Sequence, residues 1–565
     1  MHAAIKAGAD FHVRKGDLAA QHTAARAQQL TQPRLLDSVT TVPLQHLSQQ
    51  QRHARQAVQE ALRNAQDAIT HGPGSASAEP RIIALQGGPG CGKSALTQLI
   101  VDDLVEDGTA VLVTATTATA ARRLGLRPAD TAHAALQLPI HGGMPPLRAL
   151  DAKTLALHKA HLVVCDEFSM LTSQTLHKMT YRLAQATDPG KPPKVLLLVG
   201  DLAQLPPICR HGRRGGGQRR RHTDVPREPT LCAHCHLSKC PIYNKDTTNT
   251  TTPTNITNTI TKIDLTRVYR QATDPQYADF LDHIRHSRPD HALLGRVLGH
   301  CFRPNHDLID LLDDTTVVLC SHNRDVRIHN NTALLWHRDH GNLQGPVYDV
   351  AMDSNANEAS QEARHAAQAW LYRPNFHLLK RVAQGCKVIY TTTTNKQTGA
   401  TNSATGTVVE VLLADTPPDT CPPAHQHKPW VKALRIQLHD TGKTVRVTRT
   451  RVASQTTHGH TFTKKTFPVM LAYAMTAHRC QGATLTGRTI LHVREAFSPA
   501  MVYVMLGRVT TRDNLLVLGT LLPEHFTSIS MATYATHAQQ PDTPDDDTDS
   551  CDTSEEPGDH TDTDI

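Results

Sequence analysis

Ile82-Ile83-Ala84-Leu85-Gln86-Gly87-Gly88-Pro89-Gly90-Cys91-Gly92-Lys93-Ser94 is the stretch that decides the fold of this chain. Its last eight residues match the spacing G-x-x-x-x-G-K-S. Four apolar residues lead into it, and Leu96, Leu99, Ile100 and Leu104 follow at helical intervals. A strand, a glycine-rich loop and a helix in that order make a phosphate cradle. The glycines let backbone N–H groups turn inward at a helix N-terminus, where the helix dipole favours anions. Lys93 supplies a point charge for β- and γ-phosphates, and the Ser94 hydroxyl offers a ligand to Mg²⁺. Gly87, Gly88, Pro89, Gly90, Cys91, Gly92, Lys93 and Ser94 are therefore expected to hold ATP–Mg²⁺. A chance glycine turn would lack both flanking elements.

Two more strand ends complete this site. Leu162-Val163-Val164-Cys165 runs into Asp166-Glu167, giving one carboxylate for the metal and a second to orient and deprotonate water. Val195–Val199 ends at Gly200-Asp201-Leu202-Ala203-Gln204, which delivers Gln204 to the same edge as a γ-phosphate sensor. Further apolar runs lie at Ala110–Val113, Val317–Cys320, Lys387–Tyr390, Thr489–Val493 and Leu515–Leu518, bounded by turn residues. Such runs are the pattern of parallel strands, and they continue past one sheet's worth, so the expected fold is α/β with two such domains. Thr407–Leu413, Val431–Leu438 and Thr444–Val452 instead suggest a small inserted β-module.

The domain plan follows from these runs. Residues 1–46 form an extension rich in Ala, Gln and His, and 47–208 the first P-loop domain, which opens on a helix from Leu47 to about Ile69. Residues 209–262 are an Arg/Cys-rich insert with a Thr/Asn linker. The second domain spans 263–395 and 467–525, interrupted by the β-module at 396–466, and 526–565 is expected to be an acidic, disordered tail.

Charge is uneven along the chain. Lys and Arg exceed Asp and Glu by 7 overall, yet Pro541–Ile565 holds eleven acidic residues and no Lys or Arg, so residues 1–540 carry +18. A basic body with an acidic tail suits a polyanion binder; the plainer alternative is a solvated surface with a solubility tail. Hydrophobic residues make up 39% of the chain, enough to build cores, and aromatics only 4%, so Leu, Val, Ile and Ala must fill them. No apolar run reaches about 18 residues, so no membrane-spanning helix is expected. Met1–Asp10 lacks the apolar segment of a secretory signal. Of twelve cysteines, Cys91 and Cys480 sit inside motifs, which fits a reducing, intracellular setting. The 36 histidines are spread along the chain and suggest surface composition more than ligation.

The ordered motifs resemble those of superfamily 1B DNA helicases of the Pif (petite integration frequency) type. The resemblance rests on Gly87–Ser94, Asp166-Glu167-Phe168-Ser169-Met170, Gly200–Pro207, Leu265-Thr266-Arg267-Val268-Tyr269-Arg270-Gln271, Asn402–Val408, Ala474–Leu485 and Tyr503–Thr510. It implies two RecA-like P-loop motor domains with parallel sheets plus a small β-barrel inserted in the second. It also implies 5′-to-3′ translocation on single-stranded DNA and unwinding of forked duplex. Carried over residue by residue, Gln51 matches the glutamine that reads adenine. Arg270 and Arg508 match arginines reaching the γ-phosphate from the second motor domain, and Lys93, Asp166, Glu167 and Gln204 complete the catalytic set. Thr116, His133, Thr476 and His478 lie in segments that contact DNA in that family; a cap at a strand end is the alternative reading. The family usually has Ala and Thr at the positions of Pro89 and Cys91, Lys-Ser at Arg479-Cys480, and Ser at Gly507. The divergence and long inserts resemble helicases of large DNA viruses, especially the herpesvirus helicase–primase, which implies a primase or other replisome partners and a nuclear location.

Cys232-Ala233-His234-Cys235 opens a C-x-x-C-x₄-C pattern closed by Cys240, and Cys209 offers a fourth thiolate. Four soft ligands suit structural Zn²⁺; free cysteines in a loose insert are the alternative. Arg213, Arg214, Arg219, Arg220 and Arg221 beside them make a basic patch for DNA or nuclear import, or a solvated loop. Two other functions fit the sequence: a non-unwinding nucleic-acid-binding replisome subunit, and an RNA-directed or RecD-like motor.

Overall fold

The computed structural model describes residues 20–21, 23–35, 43–70, 79–140, 142–147, 151–207, 231–232, 235–240, 242–243, 260–351, 353–367, 379–395, 398–416, 427–457, 459–532 and 534–535. Cys209, the arginines from Arg213 to Arg221, most of the Thr/Asn tract and the acidic stretch from Pro541 lie outside them. So do most of the N-terminal extension and the side chain of Cys232. Contacts divide the described residues into two compact units. One draws on Met1–His340, Thr401–Ser403 and Ala472–His537, the other on Gly341–Ala400 and Ala404–Leu471.

The first unit contains two parallel sheets. Helix α1 (Gln49–Thr70) leads into β1 (Arg81–Gly87), and the glycine loop turns the chain into α2 (Lys93–Glu106). Then follow β2 (Val111–Ala115), β3 (Asp130–Thr131), β4 (Leu162–Asp166), β5 (Val195–Gly200) and β6 (Thr261–Leu265). Their order across the sheet is β3-β2-β4-β5-β1-β6, parallel throughout. Every residue of β2, β4 and β5 is buried. Both faces of this sheet are covered, so its strands are continuous apolar runs rather than alternating ones. Alternate side chains still part to opposite faces. Ile83, Leu85, Val164 and Leu197 join Leu96, Leu99 and Ile100 of α2 and Ala54 and Val58 of α1. Ile82, Ala84, Val163 and Leu196 pack with Leu176, Met179 and Leu183 beneath.

The second sheet begins after α3 (Pro275–His286). Its strands are β7 (Phe302–Arg303), β8 (Val317–Cys320), β9 (Ala474–Thr476), β10 (Thr489–His492) and β11 (Leu515–Leu518). Helix α4 (Asn323–Asp339) follows β8, and the buried helix α5 (Met501–Leu506) follows β10. The order is β7-β11-β10-β8-β9, again parallel.

The second unit carries an antiparallel sheet in the order Thr444–Val447, Trp430–Leu438, Thr405–Ala414, Lys387–Tyr390, Val469–Leu471. Beside it is a three-stranded one of Asp353–Ser354, His460–Thr466 and Thr450–Thr457. Among the described residues these are two open sheets, where a small barrel is expected from the sequence. Lys387–Tyr390 forms a strand but not a parallel one: it pairs antiparallel with Thr405–Thr407 and with Val469–Leu471. A four-residue buried run looks alike in both settings, so its partners decide. The run Thr444–Val452 breaks at Arg449, whose guanidinium lies 4.1 Å over the Trp430 ring and 4.8 Å over Phe467 and turns the chain from one sheet to the other. Two boundaries shift: Ile83–Gly87 pairs with Thr261–Leu265 and so draws that segment into the first sheet, and the tail expected from 526 starts later, because Phe526 and Ile529 are buried in the core beside Phe280 and Met501.

Candidate active site

Because the first sheet is parallel, the C-terminal ends of its strands open on one edge, the usual place for a ligand in such a fold. The glycine loop leaves β1 there, Thr116 follows β2, Asp166 ends β4, Asp201 and Gln204 follow β5, and Arg270 follows β6. The loop is closely enclosed. Gly90 has φ +84°, and a Cβ on it would stand 2.6 Å from the Arg270 Cβ. The Tyr269 N–H donates to the Gly90 carbonyl at 2.8 Å. Lys93 Nζ donates to the carbonyls of Gly87 (2.7 Å) and Gly88 (2.9 Å), which holds the ammonium at the loop. Ser94 stands exposed in the first turn of α2.

Gln51 is buried at the start of α1. Its side chain accepts from Ser48 N (2.9 Å), while Ser48 Oγ accepts from Gln51 N (3.2 Å), a reciprocal helix cap. The Tyr269 hydroxyl donates to the same Gln51 oxygen at 3.1 Å. A Cβ on Gly92 would meet Gln51 Nε2 at 2.9 Å, so the amide is anchored through its oxygen against the loop.

Asp166 is buried, and burial followed by the neighbouring Glu167 pushes its carboxyl up to about 7. A cation beside it would relieve both causes, so the donor set of Asp166 and Ser94 fits Mg²⁺. Glu167 sits in the left-handed region at φ 55°, turned away from the strand line. Gln481 Nε2 donates to Glu167 Oε2 at 3.1 Å, and the Arg123 guanidinium donates to the Gln481 carbonyl. Gln481 thus joins the Glu167 carboxylate to the segment that carries Thr476 and His478.

Three guanidiniums gather opposite. Arg270 Nη1 donates to the Gly507 carbonyl at 2.8 Å, and burial, then Arg508, pulls Arg270 down to about 10. Burial also lowers Arg123, and the neighbouring Arg508 and Arg122 charges lower it further. Arg508 is 2% exposed; its Nε donates to Val504 O, and its Nη2 has no hydrogen-bond partner among the described residues. Mutually repelling buried cations with an orphaned donor call for an anion, and a triphosphate fits them. Arg508 comes from the second sheet's side, as expected. Arg270 does not: it follows β6, the edge strand of the first sheet, and reaches across through its bond to Gly507.

Asp201 is fully buried and accepts from Arg285 Nη2 (2.9 Å) and from the Tyr503 hydroxyl (3.1 Å). Gln204 Nε2 donates to Asp201 at 3.4 Å, and its Oε1 has no partner among the described residues. Arg123, Arg285, Gln481 and Tyr503 thus belong to the site although sequence motifs assign them no role. A buried strand-end aspartate such as Asp201 demands a cation, and that was the available signal.

Two departures from the expected motifs account for each other. A Cβ on Gly507 would lie 2.6 Å from Pro89 Cγ, so the proline ring takes the space a serine would need. Cys480 is fully buried, its thiol pushed up to about 11 by burial, with Sγ donating to the Ala477 carbonyl at 3.2 Å. It packs in the core rather than facing the cleft.

The four residues proposed for DNA contact divide. Thr116 donates its hydroxyl to the Glu167 carbonyl at 3.1 Å, so it braces the carboxylate loop. His133, lowered by burial and then by Lys178, is half-buried on the short helix Ala132–Ala135. Thr476 ends β9 and His478 lies in the helix Ala477–Cys480, both partly exposed. In the insert, Cys235 and Cys240 are buried, with Cys240 Sγ 3.9 Å from His177 Nε2.

Comparison with known proteins agrees with this geometry. The family described as AAA domain matches residues 75–210. The ATP-dependent DNA helicase Pif1 of Campylobacter jejuni is 21% identical over 464 residues, covering 78% of this chain and 89% of that one. Human ATP-dependent DNA helicase PIF1 is 26% identical over 450 residues, 77% of this chain and 58% of its own length. The RecD2 DNA helicase of Deinococcus radiodurans is 36% identical over 131 residues, 23% of this chain and 16% of that one. Among solved structures, Bacteroides Pif1 bound to single-stranded DNA superposes with a TM-score of 0.55 at 18% identity, covering 85% of this chain and 94% of that one. Candida albicans Pif1 helicase gives 0.55 at 18% identity, with 85% and 96% covered. The shared fold is therefore that of the Pif1 helicases, two RecA-like sheets included.

Proposed function

We propose that this chain is an ATP-dependent DNA helicase that moves 5′-to-3′ along single-stranded DNA and opens forked duplex. The observation that carries the reading is the Gln481–Glu167 hydrogen bond. It links a segment presenting Thr476 and His478 to the carboxylate placed to activate water. Lys93, Arg270 and Arg508 bind and neutralise the β- and γ-phosphates, Glu167 orients water and takes its proton, and Gln204 senses the γ-position. Mg²⁺, held by Ser94 and Asp166, supplies further charge neutralisation when bound. Arg508 reaches the phosphates from the second sheet's side, so hydrolysis depends on the two sheets closing. The +18 body supports a phosphate-tracking grip that is tolerant of sequence and weakened by salt.

Lys93→Ala is expected to abolish ATP turnover and unwinding together, measured on forked duplexes with 5′- or 3′-tails. Unwinding confined to 3′-tailed forks would overturn the polarity, and turnover retained without Lys93 would overturn the site. The RecD2 similarity supports a second reading as a RecD-like motor. ATPase stimulation by RNA equal to that by DNA would favour an RNA-directed enzyme.

Within the first reading, the chain serves DNA replication, repair or recombination in a nucleus, as a large-DNA-virus helicase would, beside a primase or other replisome proteins. Localisation of a fluorescent fusion with Arg213, Arg214, Arg219, Arg220 and Arg221 replaced tests the compartment. Structural zinc on Cys209, Cys232, Cys235 and Cys240 belongs to the same proposal, and less than stoichiometric zinc in the purified chain would remove it.

A further inference from the structure

Cys320 ends β8 and His492 ends β10, and the two are register partners in adjacent parallel strands. Helix α4 starts three residues after Cys320 and brings Asp325 and His329 to one face, four residues apart. The ligand atoms of Cys320, His329 and His492 all lie within 4.8 Å of one another. No other such group of three His, Cys, Asp or Glu side chains occurs among the described residues. The two imidazoles face nitrogen to nitrogen, His329 Nε2 to His492 Nδ1, at 2.7 Å. Asp325 is 2% exposed, interacts electrostatically with all three, and stands 3.5 Å from Arg494.

We propose that Cys320, His329 and His492 form a three-residue zinc site that ties two strand ends of the second sheet to α4, with the buried Asp325 carboxylate as a nearby charge partner outside the ligand set. One thiolate and two imidazoles are a donor set for a borderline-soft ion rather than for Mg²⁺ or Ca²⁺, and three protein ligands leave the fourth tetrahedral position to water. Nitrogens around one tetrahedral zinc stand about 3.3–3.4 Å apart, so the imidazole pair opens from 2.7 Å by roughly 0.6–0.7 Å to admit the ion. Burial presses both imidazoles toward the neutral form that ligates. Cys320 is also the register partner of Thr476 on β9, so the ion stiffens the strand edge next to the proposed DNA grip. The site shares no residue with the nucleotide cleft and stands independently of the helicase reading.

The test uses the full chain carrying Cys209→Ser, Cys232→Ser, Cys235→Ser and Cys240→Ser, which removes the insert's four candidate thiolates. Elemental analysis is expected to find about one zinc per chain, lost in His329→Gln and His492→Gln. Asp325→Asn should weaken zinc binding by about tenfold or more in a chelator competition. Co²⁺ exchanged into the parent chain should give visible tetrahedral bands and a charge-transfer band from a single thiolate, absent after Cys320→Ser. The Co²⁺ spectrum decides even if a histidine variant fails to fold. Absence of zinc from the parent, zinc content unchanged by the histidine variants, or a Co²⁺ spectrum without thiolate character would each overturn the site.

Discussion

Asp166 and Asp201 are two buried carboxylates at neighbouring strand ends, and their surroundings give them different behaviour. Asp201 is matched by Arg285 and Tyr503. Replacing Arg285 by Leu leaves that charge buried and unpaired, and equilibrium unfolding in urea should report a loss of about 3–5 kcal/mol. Asp166 has no ion pair of that kind among the described residues: Lys93 nearby lowers it, but burial and then Glu167 outweigh that charge and raise it from 3.8 to about 7. The folded chain therefore holds that proton more tightly than the unfolded chain. Its contribution to stability is present at acid pH and declines as pH rises toward about 7. Mg²⁺ bound at Asp166 would reverse this by favouring the ionised form. Thermal melts should show a larger stabilisation by Mg²⁺ at about pH 8 than at about pH 5, and Asp166→Asn should flatten the difference. An equal Mg²⁺ effect at both pH values would remove Asp166 from the metal site.

At the scale of elements, the glycine loop and the turn after α5 were fitted to each other. Gly507 has the ordinary helical φ of −62°, so it is glycine for space and not for backbone freedom. Gly507→Ser alone should strike the Pro89 ring and cost about 1–3 kcal/mol by overpacking, with ATP turnover falling in parallel. Pro89→Ala in the same chain should restore both. A double-mutant cycle is expected to give a coupling of about 0.5–3 kcal/mol, whereas simple additivity would mean that the ring is not the obstacle. The same contact explains how Arg270 works from an edge strand of the first sheet. Its bond to the Gly507 carbonyl ends at the turn the proline presses on.

For the whole molecule, charge asymmetry sets the partner. Deleting residues 541–565 removes eleven negative charges and no positive ones. Affinity for single-stranded oligonucleotides should rise and its salt dependence steepen, measured by fluorescence anisotropy across ionic strengths. Unchanged binding would mean that the tail does not compete for the basic surface. The fold and the phosphate site were legible from residues near in sequence. A glycine loop between an apolar run and an amphipathic helix, and acids closing other apolar runs, are local patterns with a local cause: buried strands need continuous apolar side chains, and phosphates need free N–H groups. Lys93, Asp166 and Glu167 stand where those patterns predict. Pairing over distance was not legible. Thr261–Leu265 joined the first sheet, Lys387–Tyr390 turned antiparallel, Thr116 braced a loop, and Cys320 met His329 and His492. A short apolar strand carries no mark of its neighbour, and a lone Tyr, Arg or His carries no mark of the buried charge or ligand it will face. Sequence thus determined the elements and the phosphate chemistry; packing in three dimensions decided which distant side chains share a site, because only there do desolvation and close approach select partners.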